Sequence, residues 1–302
     1  MIYALLDSKR AAGAYRFVLT PGPETVVQVT TRLFLRDKIA KLGIAPLTSM
    51  FAFGENQPGR DDFRPEVHDS DGLSVQSAEG EWIWRPLVNP KRLLVTSFAL
   101  VNPRGFGLMQ RDRSSSSYED PEAQYERRPS AWVEPIGSWG AGRVELVQIP
   151  SPDETNDNIV AYWVPQAAPS PGQAIELAYR IRWQTVGTTP AAKGWVVQTR
   201  RGRGFAKKAD GDINFVVDFD GAPLRKLASG TELEPVVWTD GNAEVHERNL
   251  FRNPVSGAWR MTVRFKRNDP AQPVELRAYL KQQQNILTET WSYILPAEPE
   301  KP

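Results

Sequence analysis

Apolar and polar residues alternate with period two along most of the chain. "AYRFVLTP" (14–21), "TVVQVTTRLFLR" (25–36) and "RLLVTSFAL" (92–100) alternate or run β-branched, as do "RVELVQIP" (143–150) and "NIVAYWVP" (158–165). Period two sends successive side chains to opposite faces of a strand. Turn chemistry separates the runs at Pro21-Gly22, Asn89-Pro90, Asn102-Pro103 and Pro171-Gly172. Helical period is scarce, and "RDKIAKLG" (36–43) reads at most as a short turn ended by Gly43. The pattern predicts an all-β protein built as a sandwich.

A boundary is expected at "PQAAPSPGQ" (165–173), which is rich in Pro and lacks large apolar residues. Beyond it, strands restart on a shorter rhythm at 174–184, 194–202, 213–221, 234–241, 258–267, 274–282 and 289–296. That spacing predicts an immunoglobulin-like sandwich without a disulfide. The expected division is a large β-sandwich over 1–167 and the immunoglobulin-like domain over 168–302.

Composition narrows the chemistry. The 302 residues carry 37 basic and 36 acidic side chains, a net charge of +1, which gives no overall pull toward nucleic acid or a membrane surface. No run approaches the roughly 18–20 apolar residues of a membrane span. Cysteine is absent and there are only 2 His, so thiolate catalysis and Cys- or His-rich metal sites are excluded. No cofactor or metal is expected. The 10 Trp and 8 Tyr among many carboxylates suit a carbohydrate cleft, because pyranose faces stack on flat rings. Packing within β-cores is the competing use of the same rings.

Two acidic clusters stand out. "RPEVHDSDGL" (64–73) gathers Arg64, Glu66, His68, Asp69 and Asp71, and strand alternation would put Glu66 and His68 on one face with Asp69 opposite. "DETNDN" (153–158) abuts the apolar run Ile159 to Trp163. Either is a solvated turn or part of a polar site, and two carboxylates from distant segments are the minimum for glycoside hydrolysis. "QYERRPSAWVEP" (124–135) adds Tyr125, Arg127, Arg128 and Trp132, suited to sugar hydroxyls and ring faces. Trp82 and Trp84 on one strand face favour core filling, and "RDRSSSSYEDPE" (111–122) reads as a mobile surface loop. The basic cluster Arg200, Arg201, Arg203, Lys207 and Lys208 reads as a solvated face.

Several blocks resemble the periplasmic glucans biosynthesis family, proteins G and D. They are "LGIAPLTSMFAFGENQP" (42–58), "RPEVHDSDGLS" (64–74), "GEWIWRPLVNPK" (80–91), "NPRGFGLMQRDR" (102–113), "YERRPSAWVEP" (125–135), "DETNDNIVAYWVP" (153–165) and "LTETWSYILP" (287–296). The resemblance implies a large sandwich with a cleft, then an immunoglobulin-like domain. It implies a periplasmic protein acting on β-1,2-glucan as an endo-type hydrolase or transglycosylase. It points to Asp157 as general acid and Asp69 as base, acting directly or through a relay of water. Arg64, Tyr125, Arg128, Trp132 and Glu154 are implied as sugar contacts. It also implies that the chain is truncated at its N-terminus, since family members carry a signal peptide and a long stretch before this starting point. The alternative is a non-catalytic glucan-binding scaffold presenting nascent glucan to a membrane synthase.

Overall fold

The computed structural model describes residues 1–59, 61–167, 169–185, 192–203, 210–228 and 230–298. In chain order its first strands are β1 (Ile2–Asp7), β2 (Ala11–Thr20), β3 (Thr25–Leu35), β4 (Ile44–Ser49), β5 (Phe51–Phe53), β6 (Val67–His68) and β7 (Gly72–Gln76). Then come β8 (Trp82–Pro86), β9 (Leu94–Val101), β10 (Gly105–Met109), β11 (Ser130–Ile136), β12 (Ala141–Gln148), β13 (Ile159–Pro165) and β14 (Ala174–Gln184). The remainder are β15 (Trp195–Gly202), β16 (Ile213–Asp220), β17 (Glu234–Thr239), β18 (Ala243–Arg252), β19 (Trp259–Arg267), β20 (Val274–Gln282), β21 (Asn285–Ile286) and β22 (Thr290–Leu295). Among the described residues the one α-helix is a single turn, α1 (Ala222–Arg225). The fold is all-β, as the alternation predicts.

The longest sheet runs β1-β2-β3-β14-β11-β10-β7-β8-β22-β20-β17. Its first part packs on the four-stranded sheet β4-β13-β12-β9, and its far end packs on the four-stranded sheet β15-β16-β19-β18. Each sandwich has its own core. In β13, Ile159, Ala161 and Trp163 are buried at period two and join Val144, Leu146, Phe106 and Leu73 in the first core. Phe215, Phe219, Phe265, Trp291 and Tyr293 fill the second.

Two findings alter the expected partition. The strand 174–184, assigned by its rhythm to the second sandwich, pairs with β3 and β11 in the first. From β13 in the four-stranded sheet to β14 in the long sheet, the chain therefore stays within the first sandwich. In its place the second sandwich gains β18, "AEVHERNLFR", which pairs only with β19 in its sheet. Just one of its ten residues, Ala243, is buried, so alternation was too faint to predict it.

The sandwiches are also joined. β8 pairs β22 in parallel at Thr290↔Ile83 and Trp291↔Trp84. Trp84, Val88, Met109 and Trp132 from the first unit complete the second core. Trp132 needs room, which β10 supplies with glycine: it lies opposite Gly107, and a Cβ on Gly105 would sit 2.3 Å from its Cζ2. Gly105→Ala is therefore expected to cost roughly 1–3 kcal/mol, read as a lower urea midpoint, because an extra methyl overpacks a filled site.

Candidate functional site

The loop between β12 and β13 carries "DETNDN", and its residues divide sharply by role. Asn158 is 2% exposed; its Oδ1 accepts from the Phe51 amide at 2.9 Å, and its Nδ2 donates to the carbonyls of Phe51 (3.0 Å) and Ile149 (3.1 Å). It pins the loop to β5. Asp153 closes a turn, its Oδ1 accepting from the Thr155 amide and hydroxyl at 2.9 and 2.6 Å. Those hydrogen bonds hold its carboxyl below the usual range. Glu154 turns inward to Arg64 at 2.8 Å. Asp157 is exposed, and its carboxylate has no hydrogen-bond or ion-pair partner among the described residues.

Arg64 is a hub for three carboxylates: Asp62 (2.9 Å), Asp120 (2.9 Å) and Glu154 (2.8 Å). Hydrogen bonds from Arg64 hold Asp62 well below its ordinary pKa, and those from the Ala123 amide and Arg64 do so for Asp120. Asp120 also accepts from the Glu122 and Ala123 amides. With Tyr118 fully buried, the segment 111–122 is thereby anchored rather than loose.

Asp69 follows β6 and faces Arg128 at 3.1 Å, while Glu66 and His68 meet each other. Its Oδ1 nevertheless lacks a well-aligned hydrogen bond. Burial pushes its pKa up and the Asp157 charge adds to that, against the opposing Arg128 and His68, with the net direction upward. Arg128 also lies over the Tyr125 ring, 5.5 Å from its centroid. Burial lifts the Tyr125 hydroxyl to about 12, with charges on Glu154, Asp69 and Asp120 contributing. Asp69, Arg128, Tyr125, Arg64 and Glu154 thus form one electrostatic neighbourhood, with Asp157 acting on it through Asp69.

The structure does not bring Trp132 there. It is 2% exposed and stacks on Trp82 with centroids 5.4 Å apart. Trp84 is likewise internal, with the Arg111 guanidinium 3.5 Å from its ring centroid. Lys207 and Lys208 of the basic cluster lie outside the described residues, while Arg201 and Arg203 are exposed.

The family model described as "Periplasmic glucan biosynthesis protein, MdoG" matches residues 1–295. The chain belongs to this family. It is 58% identical over 302 residues to a glucans biosynthesis protein G of Ralstonia nicotianae, covering 98% of this chain and 60% of that protein. It is 53% identical over 308 residues to a glucans biosynthesis protein G of Pseudomonas aeruginosa, covering 99% of this chain and 59% of that one. The chain therefore spans about three-fifths of the length of these relatives.

Behind Asp69, this family member holds a polar cluster in which Glu66, His68 and Gln110 are buried and Asp71 is partly exposed. His68 Nδ1 meets Gln110 Oε1 at 3.0 Å and its Nε2 meets Glu66 Oε2 at 2.8 Å, with Asp71 Oδ1 at 3.6 Å. Gln110 Nε2 donates to two carbonyls, which turns its Oε1 toward His68 and sets Nδ1 as the donor. Burial opposes a charge on His68, but Glu66 and Asp71 outweigh it and its pKa is raised. Ligand atoms of Glu66, His68 and Asp71 lie within 4.8 Å of one another, the donor set for a cation.

A cavity of about 30 Å³ adjoins this cluster, roughly the space of one water. Glu55 lines it. Burial and the Glu66 charge drive Glu55 from 4.5 up to about 8, against the Thr199 amide and Arg200. The folded state thus keeps a proton that the unfolded chain releases. The associated stability is complete below about 4.5 and is lost as pH rises through about 8. The urea midpoint is expected to fall across that window in the wild type and to flatten in Glu55→Gln.

Proposed function

We propose that the protein acts on a β-1,2-glucan backbone in the periplasm as an endo-type glycoside hydrolase or transglycosylase using Asp157 and Asp69. The supporting observation is that Asp157, unpartnered at the rim, is near enough to raise the pKa of Asp69 from a distant segment. A pair of carboxylates flanking a glycosidic bond is the arrangement this chemistry uses. Asp157 donates its proton to the leaving glycosidic oxygen. Asp69 accepts a proton from the attacking water, directly or through a water relay, or from an acceptor hydroxyl in transfer. Arg128 stabilises the Asp69 carboxylate, while Arg64 holds Glu154 and Tyr125 stands beside it.

One observation favours the reverse assignment. Burial makes Asp69 the carboxyl that retains its proton more readily than usual, as a general acid does. The pair stays the same and only the direction of proton flow differs. The test of the function is to incubate the chain with linear β-1,2-glucan and follow chain length. Shortened or redistributed chains are expected. Binding without any change in length would replace the enzyme with the glucan-binding scaffold serving a membrane synthase.

A further inference from the structure

A groove of about 590 Å³ opens between β9 of the first sandwich and the outer face of β17 and β20 in the second. That volume falls in the roughly 300–1,000 Å³ range of small-ligand sites. Its lining is Arg85, Thr96, Ser97, Trp238, Glu275 and Arg277, none of which belongs to the rim described above. Trp238 is 53% exposed, although an indole is costly to leave in water. It stands across the strand pair from Arg277, which has no hydrogen-bond or ion-pair partner among the described residues.

The floor of the groove is less satisfied still. Arg85 is 2% exposed and binds Glu275 and Ser292 through Nη2 alone. Its Nε and Nη1, and the Thr96 hydroxyl, are buried without partners. A buried guanidinium with two orphan donors leaves a desolvation cost uncompensated, and such groups in native proteins have a reason.

We infer that this groove is a second glycan-binding site, in which a pyranose ring stacks on Trp238 while its oxygens accept from Arg85 and Arg277 and a hydroxyl donates to Glu275. A sugar supplies what the lining lacks: an apolar face for Trp238 and several acceptors for the arginine donors. The site holds a length of polymer away from the carboxylate pair. The identity of its sugar as β-1,2-linked rests on the proposed function, but the site itself does not.

The experiment is calorimetric titration of the full chain with a linear β-1,2-linked oligosaccharide, in an Asp157→Asn background so that ligand is not consumed. Two binding events are expected. Trp238→Ala should weaken one of them at least about tenfold, and Trp238→Phe should recover part of the loss. Trp238 is half exposed, so neither variant removes core packing. An isotherm unchanged by Trp238→Ala overturns the inference while leaving the carboxylate site intact. A single event abolished by Trp238→Ala upholds the groove and contradicts the rim as a glucan site. No binding at all overturns both the rim and the groove as sites for this glucan.

Discussion

Replacing Asp157 with Asn is expected to lower cleavage or transfer of β-1,2-glucan by about 10²–10⁴-fold, the range lost with a general acid. The fold should be untouched, because the exposed Asp157 carboxylate makes no hydrogen bond or ion pair among the described residues. An unchanged melting curve beside lost turnover would separate chemistry from stability. Asp69→Asn should match the loss, while Glu154→Gln should cost less, since Arg64 keeps Asp62 and Asp120. The pH profile then decides the direction of proton flow. If Asp69 is the base, it must be ionised, so activity rises as pH climbs through its raised pKa, and Asp69→Asn abolishes that acidic limb. If it is the acid, the limb removed is the alkaline one.

Arg111→Met is expected to destabilise the protein by about 3–5 kcal/mol, the loss seen when one partner of a buried ion pair is removed. Arg111 holds Glu289 through two hydrogen bonds, 2.6 and 3.0 Å, and the Glu289 side chain is fully buried. Arg111 also donates to the Val196 carbonyl, and Glu289 accepts from the Val196 amide at 2.7 Å. This clamp ties the segment after β10 to β15 and to the approach of β22, so it fastens one sandwich to the other. Adding Glu289→Gln should restore most of the loss, because the amide keeps an acceptor for Val196 and carries no unpaired charge. Denaturant midpoints of the single and double variants measure it.

The alternation that reveals β13 is strong because one face of that strand lies wholly in the core. Where burial is one-sided and slight, as in β18, the same signal vanishes. β14 was legible as a strand but not as a member of the first sheet. Its partner β3 lies far back in the chain, and nothing local marks that pairing.

The site divides the same way. The meeting of Glu66 and His68 follows from alternation at β6. The Arg64 hub does not follow, because Asp120 and Glu154 reach it from segments 56 and 90 residues away. Trp132 carries an aromatic ring that suits a sugar or a core equally. Its choice is made by Gly105 and Gly107 across the strand pair, which open a slot for it.

The most direct test of the paired-carboxylate account is a crystal structure of the Asp157→Asn variant with a linear β-1,2-linked oligosaccharide bound. The account predicts one glycosidic oxygen within hydrogen-bond reach of the residue 157 side chain. The Asp69 carboxylate should lie on the other side of that bond, the two groups about 5–10 Å apart. A glucan bound with its linkages remote from residue 157, or with Asp69 turned away from the sugar, would contradict it.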